Sequence, residues 1–399
     1  MPIGTPVHER TLALCESLNY REWSGYYAVS AYEGHHEHEY NAIRNAAALI
    51  DVSPLFKYLI TGRDAARFVD RIITRDVSKM SVGQVYYTPW CDERGKVIDD
   101  GTVSRLEEQV FRWTAADPSF RWLTQNAAGM NVHIEDISEE VAALALQGPT
   151  SARLLRAVAK ADLEALKYFR VTRGTIAGVQ VDISRTGYTG DLGYEIWIAA
   201  DEAVAVWDAL MAGGKPFDIK PAGMLALDVA RIEAGLLLID VDFHSSKKAL
   251  ILSQQYSPYE MGLGRLVSAN KGRFIGQEAL RRERERGHPR QVVGLEVDWT
   301  DVEAIYEKLQ LAPSIGATAS RVAVPVYRHG RQIGRATSTT WSPMLKKMIA
   351  LATVDRPHFA EGTELQIEVT VEAIRHKVKA RVVKTPFFDP RRKTATPPQ

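Results

Sequence analysis

Apolar positions in the first part of the chain follow two different periods. Helical spacing, with an apolar residue every three or four positions, predicts helices over 39–48, 63–73, 118–130, 150–159, 203–211 and 222–233. Two-residue alternation and short apolar runs predict strands over 51–60, 85–90, 96–103, 109–115, 141–149, 178–185 and 194–198. The strands between 85 and 115 are separated by turns, which predicts antiparallel hairpins. This part of the chain is expected to be a body of mixed sheets and helices.

The pattern changes after a charged, polar stretch at residues 283–290. Short strands are predicted beyond it at Gln291–Val297, Val322–Tyr327, Gln332–Ser338, Met348–Val354, Glu364–Val371 and Lys377–Val383. Short strands with turns between them favour a small antiparallel barrel. We therefore expect an α+β fold with a body over 1–285, a β-barrel domain over 286–390 and a basic, proline-rich tail over 391–399 that is disordered.

Composition narrows the class of protein. Hydrophobic residues make up 45% of the 399 residues and charged residues 25%, which is typical of a globular protein. The formal net charge of +1 provides no strong field for nucleic acid or an anionic membrane. No apolar run approaches the roughly 18 residues of a membrane span, and the N-terminus lacks the pattern of an export signal. We expect a cytoplasmic protein without a nucleic-acid or membrane partner.

Cysteines and histidines give no metal site. Cys15 and Cys91 are far apart and match no metal or redox spacing, which predicts free thiols. His35, His36 and His38 lie together, but no acidic or thiol residues complete a recognisable set of ligands. A surface or interface role is therefore expected for the histidines.

Two carboxylates follow the strand that begins at Lys96. Alternation points Asp99 and Asp100 to opposite faces, so that one faces an interior cleft and the other faces solvent or a turn. A carboxylate in a partly apolar cleft has a tunable pKa and can act as a base or as an electrostatic stabiliser. The plainer interpretation, an acidic pair on an exposed hairpin, remains open from spacing alone.

A glycine-rich segment follows the strand at 178–185. Glycines at 187, 190 and 193 let a backbone approach a ligand, and Tyr188 offers a stacking face. Glu195 can accept two parallel N–H bonds from an amino-pyrimidine edge, such as that of a pterin. A hairpin loop with a salt-bridged glutamate explains the same residues equally well.

Several segments taken in order resemble the glycine-cleavage aminomethyltransferase (T-protein) superfamily, over roughly residues 40–390. They are Asp51-Val-Ser, Gly83-Gln-Val-Tyr-Tyr-Thr, Val97-Ile-Asp-Asp, Ala145-Leu-Gln-Gly-Pro, Arg185-Thr-Gly-Tyr-Thr-Gly, Arg231-Ile-Glu-Ala-Gly, Phe274-Ile-Gly-Gln, Ala336-Thr-Ser-Thr-Thr-Trp-Ser-Pro, Ile349-Ala-Leu-Ala and Pro386-Phe-Phe. The resemblance implies a folate-binding body, with tetrahydrofolate in a central channel, followed by a barrel. It assigns Asp100 to the family's catalytic aspartate, and Tyr87, Tyr188 and Glu195 to folate-lining positions.

The activity implied by the resemblance is transfer of an aminomethyl carbon to tetrahydrofolate, with release of ammonia, from a lipoyl-bearing carrier protein. Four departures from the family pattern keep a second donor open. They are Pro54-Leu55 in place of His-Met, Leu227 in place of an arginine, Leu238-Ile-Asp-Val-Asp in place of Leu-Tyr-Gly-x-Asp, and an extra stretch over Trp299–Ala319. The alternative is tetrahydrofolate-dependent O-, S- or N-demethylation of a small methylated compound.

The segment that begins at Lys271 partly resembles a motif of proteins with a different function. Folate-binding accessory proteins of iron–sulfur maintenance carry a Lys-Gly-Cys-Tyr-x-Gly-Gln-Glu motif. The corresponding segment here begins at Lys271 and has Arg273 in place of the cysteine. The key thiol is therefore missing.

Overall fold

The computed structural model describes residues 1–397, which form a mixed body and a closed barrel. The helices are α1 (His8–Leu14), α2 (Glu37–Asn45), α3 (Ala65–Ile72), α4 (Phe120–Asn126), α5 (Ser151–Val158), α6 (Ala203–Gly214), α7 (Met224–Glu233), α8 (Gln277–Arg286) and α9 (Trp299–Lys308). The strands of the body are β1 (Asn19–Trp23), β2 (Tyr26–Ala31), β3 (Ala47–Asp51), β4 (Phe56–Thr61), β5 (Val85–Cys91), β6 (Val97–Glu107), β7 (Val110–Ala115), β8 (His133–Asp136), β9 (Val141–Gln147), β10 (Ala159–Ala161), β11 (Val171–Ile176), β12 (Val179–Ser184), β13 (Gly193–Ala199) and β14 (Ile219–Pro221). The barrel strands are β15 (Arg290–Val297), β16 (Val324–Arg328), β17 (Arg331–Ser342), β18 (Lys347–Asp355), β19 (Glu364–Val371) and β20 (Ile374–Val383).

The largest sheet of the body is covered on both faces. Its strand order is β10-β11-β12-β13-β9-β3-β14. In β9, Leu144 and Leu146 pack into the core that contains α5 and α6, whereas Ala143 and Ala145 pack into the core that contains α2 and α7. This two-sided burial explains why the sequence of β9 is a continuous apolar run rather than an alternating one.

A second sheet, ordered β5-β6-β7-β4-β8, has one apolar face. Tyr86 and Trp90 of β5 and Val103 of β6 point to this face and share a core with Phe68 and Ile72 of α3. The opposite face of β5 and β6 carries Tyr87 and Asp100, because cross-strand partners of an antiparallel pair point the same way and Asp100 pairs with Pro89. The predicted hairpins are confirmed, and they fix the direction of these side chains.

The predicted single strand over 51–60 is wrong. The structure has one strand ending at Asp51 and another beginning at Phe56, with an irregular connection between them. Pro54 lies in this connection, and proline lacks the N–H that a ladder requires. The predicted helix over 39–48 likewise ends at Asn45, because the following residues form β3.

The C-terminal strands close into a barrel of order β15-β18-β17-β16-β19-β20, which confirms the predicted antiparallel barrel. The predicted disordered tail is wrong for residues 391–397: Arg391–Lys393 form a short 3-10 helix, and Arg392 forms an ion pair with Asp191 at 2.6 Å. Residues 398–399 lie outside the described part of the chain. Within residues 1–397, no helix has the length and apolarity needed to cross a membrane.

Candidate functional site

A tyrosine and an aspartate from neighbouring strands form the centre of the candidate site. The hydroxyl of Tyr87 donates to Oδ2 of Asp100 at 2.5 Å. Burial raises the pKa of Asp100 to about 6, and the bond from Tyr87 opposes this rise. Burial also raises the pKa of Tyr87, with a further contribution from the charge of Asp100. The carboxylate is thus held in one orientation and titrates close to neutral pH.

Asp99 points to the other face of β6, as alternation predicts. It is fully buried and accepts the backbone N–H groups of Asp100, Ala116 and Asp117 at 2.8, 3.1 and 3.0 Å. Burial, followed by repulsion from Asp100, raises the pKa of Asp99 well above its usual value. Since its Oδ2 accepts both N–H groups from the backbone after β7, Asp99 has a structural role in holding that turn.

Glu195 lies on β13 and faces the second sheet. Its Oε2 accepts a hydrogen bond of 2.5 Å from the hydroxyl of Thr186, and Oε1 has no donor among residues 1–397. Burial raises the pKa of Glu195, whereas the bond from Thr186 and the positive charge of Arg112 act in the opposite direction. One oxygen is therefore fixed by Thr186, and the other accepts no hydrogen bond from residues 1–397.

Arg112 supplies the positive charge beside Glu195. Its guanidinium lies 4.4 Å from the ring centre of Trp197 and donates to Asp182 at 2.6 Å. Asp182 and Trp197 are cross-strand partners on β12 and β13, and Glu195 is two residues before Trp197 on the same face. The stacked ring and the aspartate thus hold Arg112 near the glutamate. Sequence analysis did not identify Arg112, although an arginine within the apolar strand 109–115 was the available signal.

Tyr188 joins this region to the chain after α7. Its hydroxyl donates to the carbonyl oxygen of Leu237. Its ring packs against an apolar cluster that contains Leu227, and Leu55 packs against the same cluster. Burial raises the pKa of Tyr188, and the negative charges of Asp100 and Asp228 contribute in the same direction. Tyr188 therefore lies between the Tyr87–Asp100 pair and α7.

The glycines around Tyr188 have a different role from the one predicted. A Cβ atom on Gly187 would lie 2.1 Å from the amide of Gln147, and one on Gly193 would lie 2.3 Å from it. Gln147 donates to the carbonyls of Thr186 and Tyr194 at 3.2 and 3.3 Å. These two glycines make room for a buried glutamine that ties the loop together, rather than for a ligand.

A buried ion cluster connects α7 to the barrel. Arg231 pairs with Asp242 at 2.5 Å and with Asp228 at 3.1 Å, and it donates to Ser338 of β17 at 2.8 Å. Asp242 also accepts from Thr337 at 2.6 Å. Each charge is opposed and hydrogen-bonded, which is the condition for burying ions at tolerable cost.

A second buried cluster lies at the C-terminal residue of α7, two positions after Arg231. Glu233 accepts from Tyr40, from Ser342 of β17 and, through two bonds, from Arg44, at distances of 2.6–2.8 Å. Arg44 also pairs with Asp191 at 3.4 Å. The segment Arg231–Gly235, one of the family-like motifs, therefore holds the end of α7 against α2 and the barrel.

The histidine cluster does not form a metal site in the described structure. His38 pairs with Glu33 at 2.7 Å, and its ring centre lies 5.6 Å from that of His35. His36 is buried beside α2. Across residues 1–397, no group of three or more histidine, cysteine or acidic side chains is placed to hold a metal ion.

Comparisons with known proteins match both parts of the chain. The family described as the GCVT N-terminal domain matches residues 6–271, and the glycine cleavage T-protein C-terminal barrel domain matches residues 290–389. An aminomethyltransferase from Bacillus cytotoxicus is 35% identical over 356 residues, covering 88% of this chain and 89% of that protein. One from Desulforamulus reducens is 35% identical over 373 residues, covering 92% and 93%.

A solved structure shares the fold. The crystal structure of glycine cleavage system aminomethyltransferase T from Bartonella henselae matches with a TM-score of 0.81 at 23% identity, covering 98% of this chain and 99% of that chain. The likeness therefore extends over the body and the barrel together.

Proposed function

Since the chain belongs to the glycine cleavage T-protein family, with aminomethyltransferases among its relatives, we propose that it is a tetrahydrofolate-dependent aminomethyltransferase. The donor would be an aminomethyl group on a sulfur of a lipoyl-carrying protein, and the products would be methylenetetrahydrofolate, ammonia and the carrier with its lipoyl group as the free dithiol. The observation that supports this proposal most directly is the Tyr87–Asp100 pair, an oriented carboxylate with a pKa of about 6 next to Tyr188.

The residues present fit a folate. Oε1 of Glu195 has no protein donor among residues 1–397, and Oε2 keeps a second lone pair beside the bond from Thr186, so the carboxylate can accept two parallel N–H bonds from an amino-pyrimidine ring. Tyr87 and Tyr188 offer aromatic surfaces beside Asp100. Tetrahydrofolate, when bound, supplies the nitrogen atoms that accept the one-carbon unit.

Asp100 carries the chemical role in this proposal. At neutral pH the carboxyl of Asp100 is mostly ionised, because its pKa is about 6. A fixed negative charge in a water-poor site would stabilise the positive charge that a folate nitrogen acquires when it bonds to the donated carbon and ammonia leaves with the electrons of the broken carbon–nitrogen bond. Tyr87 keeps the carboxylate in one orientation throughout, so that little reorganisation is needed at the moment of reaction.

A second function, demethylation of a small methylated compound, is favoured by one observation. Leu55 packs against the apolar cluster that contains Leu227, and Tyr188 packs there too. An apolar wall binds a methylated molecule by burial, at about 25 cal/mol per Å², but gives little to an ammonium group. The iron–sulfur accessory function has no comparable support, because Arg273 is exposed and provides no thiol.

One assay separates the two transfer functions. The purified protein is incubated with tetrahydrofolate and either an aminomethylated lipoyl carrier protein or a panel of O-, S- and N-methyl compounds. Methylenetetrahydrofolate and ammonia from the carrier are expected. Methyltetrahydrofolate from a member of the panel, without turnover of the carrier, would replace aminomethyl transfer with demethylation.

A further inference from the structure

The segment between α9 and β16 returns to the wall of the candidate site. Ser320 exchanges backbone hydrogen bonds with Thr339 of β17, at 2.7 and 2.9 Å. Ala319 packs against the apolar cluster on which Tyr188 and Leu55 also pack. The extra stretch over 299–319 therefore ends beside the site, and the next residue but one, Arg321, is positioned by it.

Arg321 has unused hydrogen-bonding capacity. Its Nε donates to Oδ2 of Asp228 at 2.6 Å, and its side chain is 39% exposed. Neither terminal nitrogen of its guanidinium has a partner among residues 1–397. The other oxygen of Asp228 accepts from Arg231 at 3.1 Å. Arg321 is thus aimed by one bond while its forked end remains available.

A second arginine comes from β1, where Trp23, two residues after Arg21, packs against the same apolar cluster as Ala319. The pKa of Arg21 is lowered by burial and then by the positive charge of Arg321, while Asp228 acts in the opposite direction. Arg21 also donates from Nε to the hydroxyl of Ser30 at 3.1 Å. Asp228 already pairs with the buried Arg231, so its single negative charge does not fully neutralise Arg21 and Arg321 as well. Two like charges held together in this way favour an anion between or beside them.

We propose that Arg321, assisted by Arg21, binds a carboxylate of the ligand, and that this carboxylate belongs to the glutamyl tail of tetrahydrofolate. The proposal rests on the folate dependence proposed above. A folate has a neutral pterin ring at one end and carboxylates at the other. Tyr188 and Ala319, which is two residues before Arg321, pack against the same apolar cluster, so the wall that Tyr188 forms extends to the segment that carries Arg321. A guanidinium fork matches a carboxylate with two parallel bonds.

Calorimetric titration of two ligands tests the assignment. One ligand is tetrahydrofolate, and the other is its tail diamide, in which both tail carboxylates are primary amides. Arg321→Gln is expected to weaken binding of tetrahydrofolate by about tenfold or more, the effect of losing a charge-assisted bond. Its affinity for the diamide should stay within about twofold of the native value. Arg321→Lys should give an intermediate loss, because it keeps the charge and loses the fork.

A second arginine variant is the matched control. Arg331→Gln removes an arginine that is exposed at the turn between β16 and β17, and it should change neither affinity. Thermal unfolding of each variant verifies the fold, which Arg231 supports by continuing to pair with Asp228.

If the native protein binds neither ligand, the proposed function fails. If it binds both and Arg321→Gln changes neither affinity, the tail assignment is overturned. An increase only in the KM of a carboxylate-bearing donor would also overturn it and would assign the arginine to the donor.

Discussion

Tyr87 and Asp100 extend from adjacent strands and share a hydrogen bond of 2.5 Å, so the hydroxyl of one residue sets the ionisation of the other. Burial pushes the pKa of the carboxyl upward and the tyrosine holds it at about 6. In the proposed reaction the ionised form of Asp100 is the active one.

Replacement of Asp100 by asparagine tests that role. The side chain keeps its shape and loses its charge, so turnover is expected to fall at least about a hundredfold, as is typical for an electrostatic or acid–base group. Steady-state kinetics with tetrahydrofolate and the active donor measure the effect. Circular dichroism and thermal unfolding should match those of the native protein. A loss of less than about fivefold would contradict the catalytic assignment.

Tyr87→Phe should move the pH dependence of the reaction. The bond from Tyr87 lowers the pKa of Asp100, so its removal raises that pKa above about 6. The carboxylate is then protonated at a higher pH, and the acid limb of kcat/KM shifts upward, with partial recovery of rate at alkaline pH. A profile between pH 5 and pH 9 measures the shift. Tyr188→Phe is the control, because its hydroxyl bonds to Leu237 and not to the carboxylate; an equal shift in both variants would contradict the explanation.

Asp99→Asn should affect stability more than turnover. Asp99 accepts backbone N–H groups from the turn that follows β7, and an asparagine would present a donor where an acceptor is needed. We expect a loss of about 1–3 kcal/mol in the free energy of unfolding, the cost of a poorly satisfied buried polar group. Urea denaturation measures this loss. Turnover at a temperature where the variant is folded should fall far less than in Asp100→Asn, and equal losses would argue against the two roles.

In Arg112→Met, the pH range over which folate affinity falls should be higher than in the native protein. The charge of Arg112 lowers the pKa of Glu195, in opposition to burial. Without it the pKa rises, and binding that requires an ionised carboxylate is lost at a higher pH as the solution is acidified. Titration of tetrahydrofolate between pH 5 and pH 8 measures this change.

Glu195→Gln is the companion variant for the same experiment. It should weaken binding by about 1.5–3 kcal/mol, the value of a charge-assisted hydrogen bond. Its affinity should not follow the pH dependence seen in Arg112→Met, since the amide does not titrate. Unchanged affinity in Glu195→Gln would remove this residue from the binding site.

Sequence patterns were most informative where one short segment determines the geometry. Two-residue alternation was enough to separate the faces of Asp99 and Asp100, because strand geometry depends on neighbouring residues only. Patterns were misleading for Gly187 and Gly193, since the side chain that requires them, Gln147, lies in another strand. They gave no indication of Arg321, whose partner Asp228 is 93 positions away in the chain. Partnerships formed by long-range folding have no local periodic signature.

The two ion clusters on α7 restrict how the chain can be divided in evolution. Ser338, Ser342 and Thr337 of the barrel complete the hydrogen bonds of Arg231, Glu233 and Asp242 in the body. A barrel transplanted from a relative would preserve the body only if it brought hydroxyl groups to the same places; otherwise charged groups would be left buried without their partners. The two parts of the chain are therefore constrained to change together at these positions, so that recombination at the segment joining them yields functional hybrids only among closely matched parents.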